Sequence, residues 1–270
     1  MAAFAPPPPN AWWTDPLLTS IGVASVYGVV YSACCSAGLF ADISDDRARI
    51  DARSRVVSLL NVAVSVVAVA VNAEDLWGVS QDLEAAAFGS SDRRDFCLLL
   101  MTGFMLYDLC LMVWEREAVF DLAMVLHHSI IICALLVGVM FKAATFYMAV
   151  LFVNEVSTPF LNLRFLLLHL GLKNSALYRY NGAALVATFL LSRVATITAL
   201  VCHGAYAWWQ LGFVSGLYWT RPGSDRVLFG GLTALLLGHW ALNLHWFYLI
   251  CLHAMRVFRR GGDSKQRKSR

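Results

Sequence analysis

The chain has 270 residues, of which 59% are hydrophobic and only 14% are charged, and its formal net charge is +3. Soluble domains carry about 25% charged residues, so this chain lacks the polar groups needed to cover a water-facing surface. The composition excludes an ordinary soluble domain and predicts an all-α fold, a polytopic membrane helix bundle. We predict no nucleic-acid partner.

Apolar segments long enough to cross a bilayer recur along the whole chain. About twenty apolar residues cross the hydrocarbon as a helix, and on that rule we predict about seven transmembrane helices. They lie near 16–40, 55–73, 96–115, 121–141, 143–169, 181–211 and 227–257. The apolar stretch 119–170 is too long for one crossing, so we divide it at Lys142 into two helices joined by a tight turn.

The spans suggest three parts of unequal size. Residues 1–50 hold the N-terminus, the first span and the start of a basic loop, 51–258 hold the other six spans, and 259–270 form a basic tail. The N-terminal segment contains a proline run, predicted to be an extended spacer. Because it lacks a basic residue and a small-residue cleavage site, it does not read as a cleavable signal peptide. Trp12 and Trp13 suit a membrane interface.

Basic residues follow the odd-numbered spans, which sets the predicted orientation. They are Arg47, Arg49, Arg53, Arg55, Arg116, Lys173, Arg179, Arg256, Arg259, Arg260, Lys265, Arg267, Lys268 and Arg270. The positive-inside rule then places the C-terminus in the cytosol and the N-terminus in the lumen. On the luminal side, Trp208, Trp209, Tyr218 and Trp219 are expected to form an aromatic belt. The final RKSR resembles a dibasic retrieval signal of the endoplasmic reticulum, and the alternative is a polybasic tail on anionic lipid.

Polar residues inside the predicted spans carry the functional hypothesis. They are Tyr107, Asp108, His127, His128, Asn154, Glu155, Ser157, Thr158, Arg193, His239, Asn243 and His245. A charged group at mid-bilayer costs roughly 2.5–3.5 kcal/mol on insertion scales, so such groups face the bundle interior and have partners. Counted along their helices, most fall in one band between the midplane and the cytosolic face. We therefore predict a polar cavity inside the bundle that opens to the cytosol.

Local spacing sharpens this prediction. His127 and His128 are adjacent and point about 100° apart, so only one can face the cavity centre, and the other should bond to a neighbouring helix or a backbone carbonyl. Pro159 is expected to kink its helix and free the carbonyl of Glu155. A structural alternative stays open: Arg193 paired with Glu155 or Asp108, and the histidines acting only as interhelical hydrogen-bond donors.

Six motifs occur together in a fixed order. They are GFMLYDL at 103–109, HH at 127–128, NEVSTPFLNLR at 154–164, LYRYNG at 177–182, SRV at 192–194 and NLHWFYLI at 243–250. In these motifs the chain resembles the TLC-domain family, named for the TRAM, LAG and CLN proteins, over roughly 50–258. It is most similar to the small branch typified by TLC-domain-containing protein 4, and more distantly similar to ceramide synthases.

The resemblance implies a helix bundle that handles lipids, usually in the endoplasmic reticulum. In ceramide synthases the paired histidines are tied to acyl transfer from acyl-CoA to a long-chain base, a role that would fall on His127 and His128. Those enzymes carry a further His-Asp pair on the next helix, where this chain has Asn154 and Glu155.

Two hypotheses for function follow. In the first, the protein binds or regulates a membrane lipid or fatty acyl chain in the intrabundle cavity. The lipid-binding residues would be Asp108, Asn154, Glu155, Ser157, Arg193, His239 and Asn243. In the second, it is a ceramide-synthase-like N-acyltransferase with His127, His128 and Glu155 as catalytic residues, acyl-CoA as co-substrate and no other cofactor.

Other function classes have less support in the sequence. Seven histidines without clustered HxxxH or HxxHH boxes give no basis for a metal-dependent hydroxylase or desaturase, so we predict no metal site. A receptor or transporter would need short motifs or inverted repeats that we do not find. The sequence leaves the oligomeric state open.

Overall fold

Seven helices long and apolar enough to cross a membrane run through the described part of the chain. The computed structural model describes the backbone of residues 15–268 and the side chains of residues 15–256. The helices are α1 (Pro16–Ser36), α2 (Asp46–Ser80), α3 (Asp92–Trp114), α4 (Leu122–Met140), α5 (Thr145–His169), α6 (Ala176–Val214) and α7 (Gly223–Lys268). The predictions for the proline run, Trp12, Trp13 and the side chains of the basic tail lie outside the described residues.

The predicted all-α fold and the seven spans are confirmed, and no strand occurs within residues 15–268. Helix α2 starts well before its predicted span, because Asp45 caps it by accepting a hydrogen bond from the Arg47 backbone N–H at 3.1 Å. Inside its first turns, Arg55 pairs with Asp51 at 3.0 Å, one helical turn away. The basic loop is therefore largely helical and continues α2 out of the apolar layer.

Short connections join the long helices. Three short helices, Leu83–Phe88, Arg116–Val119 and Leu217–Thr220, lie between them. Lys142 and Ala144 both have a φ of 55°, and this left-handed turn separates α4 from α5 where the sequence predicted the division. Lys142 Nζ also lies 2.5 Å from Asp95 Oδ2, which ties the turn to the first residues of α3.

Helices α5 and α6 contain irregular segments near their middles. In α5 a 3₁₀ segment, Leu151–Ser157, precedes the regular helix Thr158–His169, which has Pro159 in its first turn. The prediction that Pro159 frees the Glu155 carbonyl is wrong, because that carbonyl accepts the Thr158 backbone N–H. The tighter 3₁₀ winding supplies this i to i+3 bond. Helix α6 widens into a π-helical turn over Leu190–Ala195.

The predicted aromatic belt is only half present. Trp209 and Trp219 are each 55% exposed, as a belt requires. Tyr218, however, is buried, and its ring centroid lies 4.6 Å from that of Trp208. Trp208 also stacks on Phe229 of α7 at 5.5 Å. Tyr218 is therefore a core residue, and the half-buried Trp208 packs against it and Phe229 between α6 and α7.

Candidate functional site

The irregular segments of α5 and α6 place a carboxylate and a guanidinium on facing helices. Thr158 Oγ1 donates to Glu155 Oε2 at 2.9 Å. Arg193, in the π-helical turn of α6, donates from Nε to Ser157 Oγ at 2.9 Å and from Nη2 to Thr158 Oγ1 at 3.2 Å. Its Nη2 lies 3.9 Å from Glu155 Oε1. The two charges thus compensate each other inside the bundle, and two hydroxyls fix the geometry.

Helix α7 contributes a histidine held by two amides. The Nδ2 groups of Asn154 and Asn243 donate to His239 Nε2 at 3.2 and 3.3 Å. Asn243, which is fully buried, also donates to the His239 backbone carbonyl at 2.9 Å. Because Nε2 accepts these bonds, the ring hydrogen of a neutral His239 sits on Nδ1. This links α5 to α7 through one imidazole.

The adjacent histidines of α4 divide as predicted. His128 donates from Nδ1 to the Met124 carbonyl at 2.8 Å, and its Nε2 lies 3.0 Å from Asp108 Oδ2 on α3. Both nitrogens therefore face oxygen acceptors, the pattern of a protonated ring beside a carboxylate. His127 points to the other side, where its ring stacks on that of His239 with centroids 5.0 Å apart. The prediction that only one of the pair faces the interior cavity is confirmed.

Several buried polar atoms around His127 and His239 have no hydrogen-bond partner among the described residues. They are Nδ1 of His127, Nδ1 of His239, Oδ1 of Asn154 and Oδ1 of Asn243. Buried polar groups are usually paired, and an unpaired one costs about 1–3 kcal/mol. Four such atoms on three adjacent helices mark a place where a polar group of a ligand, or water, would be stabilised.

Two cavities meet at this cluster. The smaller, of about 40 Å³, is lined by the polar side chains His127, Asn154, Glu155, Arg193 and His239 together with apolar neighbours. The larger, of about 380 Å³, is almost entirely apolar and lies among α4, α5, α6 and α7. Both share the lining residues Ile131, Leu135, Met148, Leu151 and His239. The arrangement is a long apolar space with a charged and hydrogen-bonding group at one end.

A comparison against known families bears on this arrangement. A family model of the TLC domain matches residues 51–252, which is most of the chain. The chain belongs to the TLC-domain family. No solved structure matches it. The TLC domain holds α2 to α6 and the part of α7 that carries His239, so every polar residue that lines the smaller cavity lies within it.

Within the TLC domain, the predicted site residues fall into three groups. His127, Asn154, Glu155, Arg193 and His239 line the smaller cavity. Ser157 and Asn243 do not line it but hold Arg193 and His239 in place. Asp108 and His128 form a separate pair and line neither of the two cavities.

The large apolar cavity was not foreseen from the sequence. It extends toward the C-terminal part of α6 and the N-terminal part of α7, away from the basic loops. One pair of polar residues could have indicated this cavity. Tyr147 lines it and donates to His203 Nδ1 at 3.0 Å. His203 Nε2 in turn donates to the Ser80 carbonyl at 3.3 Å. Polar residues on α5 and α6 at this depth need partners, and pairing them places the two helices side by side.

Proposed function

We propose that this TLC-domain protein binds a membrane lipid inside its helix bundle, with an acyl chain in the apolar cavity and the polar group beside Glu155 and Arg193. The observation that carries this proposal is the junction of the two cavities at His239. A cavity of about 380 Å³ is within the usual range for small-molecule sites, which are mostly apolar with a few placed polar groups. This site has that composition.

The polar cluster supports binding rather than helix packing alone. A purely structural cluster would satisfy its own donors and acceptors, as Asp108 and His128 do. The cluster at the cavity leaves the Nδ1 atoms of His127 and His239 without a partner. A ligand carbonyl or carboxylate could accept from these nitrogens and would lie near the Arg193 guanidinium.

The test is to identify lipid that co-purifies with the protein. The full chain is purified in mild detergent, and bound lipid is extracted and measured by mass spectrometry. Gly204 lines the large cavity and has room, since an added Cβ would lie 3.7 Å from Tyr147 Cε1. We expect Gly204→Phe to fill the space and reduce retained lipid about tenfold. Gly28→Phe on α1 is the control, because an added Cβ there meets nothing within 4 Å. This variant should retain as much lipid as the wild-type protein. Equal lipid in both variants would contradict the proposal.

We also propose that the protein acts in the endoplasmic reticulum with its basic end in the cytosol. Arg47, Arg116 and Lys173 lie at one end of the bundle, and the positive-inside rule assigns that end to the cytosol. The lipid would then come from the membrane in which the protein resides.

Acyl transfer is a second candidate function, favoured by the position of His127. This ring lines the smaller cavity, as Glu155 does, whereas both nitrogens of His128 are engaged. In such a reaction an amine nitrogen would attack the acyl thioester carbonyl, His127 would accept the amine proton, and the thiolate would leave. Glu155 would stabilise the resulting imidazolium, and His128 would act as a positioning residue.

This second function is tested with purified protein, acyl-CoA and sphinganine. If it holds, His127→Ala abolishes amide formation. His128→Gln, which can still donate a hydrogen bond to Asp108, keeps measurable turnover because His128 would only position the helix. This role is ruled out for those substrates if the wild-type protein forms no amide product, or if the His127→Ala variant forms as much as the wild-type protein.

A further inference from the structure

Helices α6 and α7 are joined at two levels by the same kind of hydrogen bond. Trp208 Nε1 of α6 donates to Thr233 Oγ1 of α7 at 3.3 Å. In the reverse sense, Trp240 Nε1 of α7 donates to Thr198 Oγ1 of α6 at 3.0 Å. At roughly 1.5 Å per residue, these bonds are about 15 Å apart along α6 and about 10 Å apart along α7. They bracket a short stretch in which the two helices face each other.

The residues between these two bonds line the large cavity and also reach the outer surface. Val201 and Ala205 lie on the facing side of α6, and Leu236 and Leu237 on that of α7. Ala205 is exposed, and Leu237 is 43% exposed. A residue that lines a cavity and is also exposed lies at its mouth. The inner wall of the cavity is buried instead, as its residues Leu135, Met148 and Phe229 show.

The mouth is apolar. The exposed residues of the cavity lining, Ala205, Trp209, Phe213 and Leu237, carry no charge, and Ala205 is the smallest of them. A large, multiply charged headgroup would lose its hydration there without gaining a partner. An acyl chain passes from lipid hydrocarbon into this space with little change in environment. His239 is three residues beyond Leu236 and on the same face of α7, so the opening leads directly to the polar cluster.

We propose that this mouth, which we call the α6–α7 window, is the lateral entrance through which a single-chain carboxylic lipid enters from the bilayer. The occupant is a fatty acid, with its carboxyl group beside Arg193 and the two unpartnered imidazole nitrogens. The window lies in the half of the bundle farther from the basic loops, so the ligand comes from the predicted luminal leaflet. This inference rests on the proposed lipid-binding function and adds its route and its ligand class.

The test uses the full chain in phosphatidylcholine liposomes with a palmitic acid that carries a photoactivatable diazirine near its end. After brief illumination, labelled peptides are located by mass spectrometry. We expect label on residues of the large cavity such as Tyr147 and Met148. Ala205→Trp should lower the rate of that labelling about tenfold, because the indole fills the mouth. Ala234→Trp is the matched control, since Ala234 is exposed on α7 at the same level but lines neither cavity.

Two further variants protect the test from a folding defect. Gel filtration and thermal unfolding establish that Ala205→Trp is intact, and Leu237→Trp approaches the same mouth from the other helix. Thr198→Val removes one of the bracketing hydrogen bonds and should speed labelling. If Ala205→Trp and Leu237→Trp are both labelled in the cavity at the wild-type rate, the window is overturned but the proposed lipid binding is not. Absence of cavity label in the wild-type protein overturns lipid binding itself.

A second probe tests the single-chain preference. Phosphatidylcholine with the same diazirine in one chain should label the cavity several-fold less than the fatty acid at equal membrane content. Equal labelling by the two probes overturns the assignment of a single-chain ligand.

Discussion

Two neighbouring arginines of α3 have opposite surroundings. Arg94 is 1% exposed and donates to Asp75 Oδ2 at 2.7 Å and to Thr145 Oγ1 at 2.8 Å, which joins α2, α3 and α5. Arg93 is exposed and makes one bond, to the Val71 carbonyl at 3.1 Å. The same side chain is thus an interhelical tie at one position and a surface group at the next.

This difference predicts unequal effects of the same substitution. Arg94→Met should lower stability by about 2–3 kcal/mol, less than the ~3–5 kcal/mol of a fully buried pair because Asp75 keeps some contact with solvent. Arg93→Met should change it by less than about 0.5 kcal/mol. Thermal unfolding in detergent, followed by tryptophan fluorescence, measures both. Equal loss in the two variants would show that Arg94 is not the tie.

The pair formed by Asp108 and His128 supports a second prediction at this scale. Asp108→Asn removes the charge opposite a buried imidazole, so we expect a loss of about 1–3 kcal/mol. Asp92→Asn, on the same helix, serves as control because Asp92 is 73% exposed and lies 3.9 Å from Lys142. Unfolding midpoints of the two variants should separate clearly. A larger loss of stability in Asp92→Asn than in Asp108→Asn would contradict the stabilising role of the Asp108–His128 pair.

At the scale of elements, α1 and α3 approach closely at one glycine. A Cβ placed on Gly103 would lie 2.4 Å from Val23 Cγ1 and 2.9 Å from the Ser20 carbonyl oxygen. Such distances are not tolerated, so any side chain here pushes the helices apart. Tyr27 packs edge-on against Phe104 beside this contact, with ring centroids 5.3 Å apart.

Gly103→Ala should therefore destabilise the protein by about 1–3 kcal/mol through overpacking. Gly28→Ala on α1 should be neutral or slightly stabilising, because nothing lies within 4 Å of the added Cβ and alanine favours the helix. The comparison separates packing from helix propensity. A gain of stability in Gly103→Ala would mean that the helices are not in contact there.

Helix-level features also show what the sequence can and cannot predict. Hydropathy located the seven spans, segment length and Lys142 gave the division between α4 and α5, and helical geometry gave the two directions of His127 and His128. Each of these depends on local sequence. The π-helical turn that carries Arg193 has no comparable local signal. The large cavity was missed because Leu135 and Leu236, which line it, have the same residue type as lipid-facing leucines. Tyr218 was misassigned for a similar reason, since a tyrosine ring suits both a membrane interface and an aromatic core.

At the scale of the whole molecule, basic residues are concentrated at one end of the bundle. Arg47, Arg53, Arg116 and Lys173 lie there, at the start of α2 and after α3 and α5. The opposite end has acidic and basic groups in pairs, such as Arg221 with Glu84. The positive-inside rule counts lysines and arginines in the connections, so it predicts that the first end faces the cytosol.

The orientation can be tested with inserted glycosylation sites. An Asn-Ser-Thr acceptor in a short flexible linker after Arg221 should be glycosylated in microsomes, because we predict that the connection between α6 and α7 is luminal. The same insertion after Lys173, between α5 and α6, should remain unmodified. A shift in gel mobility that is reversed by deglycosylation is the readout, and the reverse result inverts the orientation.

The close contact at Gly103 also bears on how the protein can be divided. The matched domain starts at residue 51, yet α1 ends at Ser36 and covers the bare backbone of α3. A fragment that begins at the domain boundary would expose the surface of α3 around Gly103 to lipid. Asn61 would also lose the hydrogen bond that the Tyr27 hydroxyl donates to it at 3.3 Å. Co-expressing the missing segment as a separate peptide should restore the fragment's folding yield, because α1 supplies contacts that the domain does not make by itself.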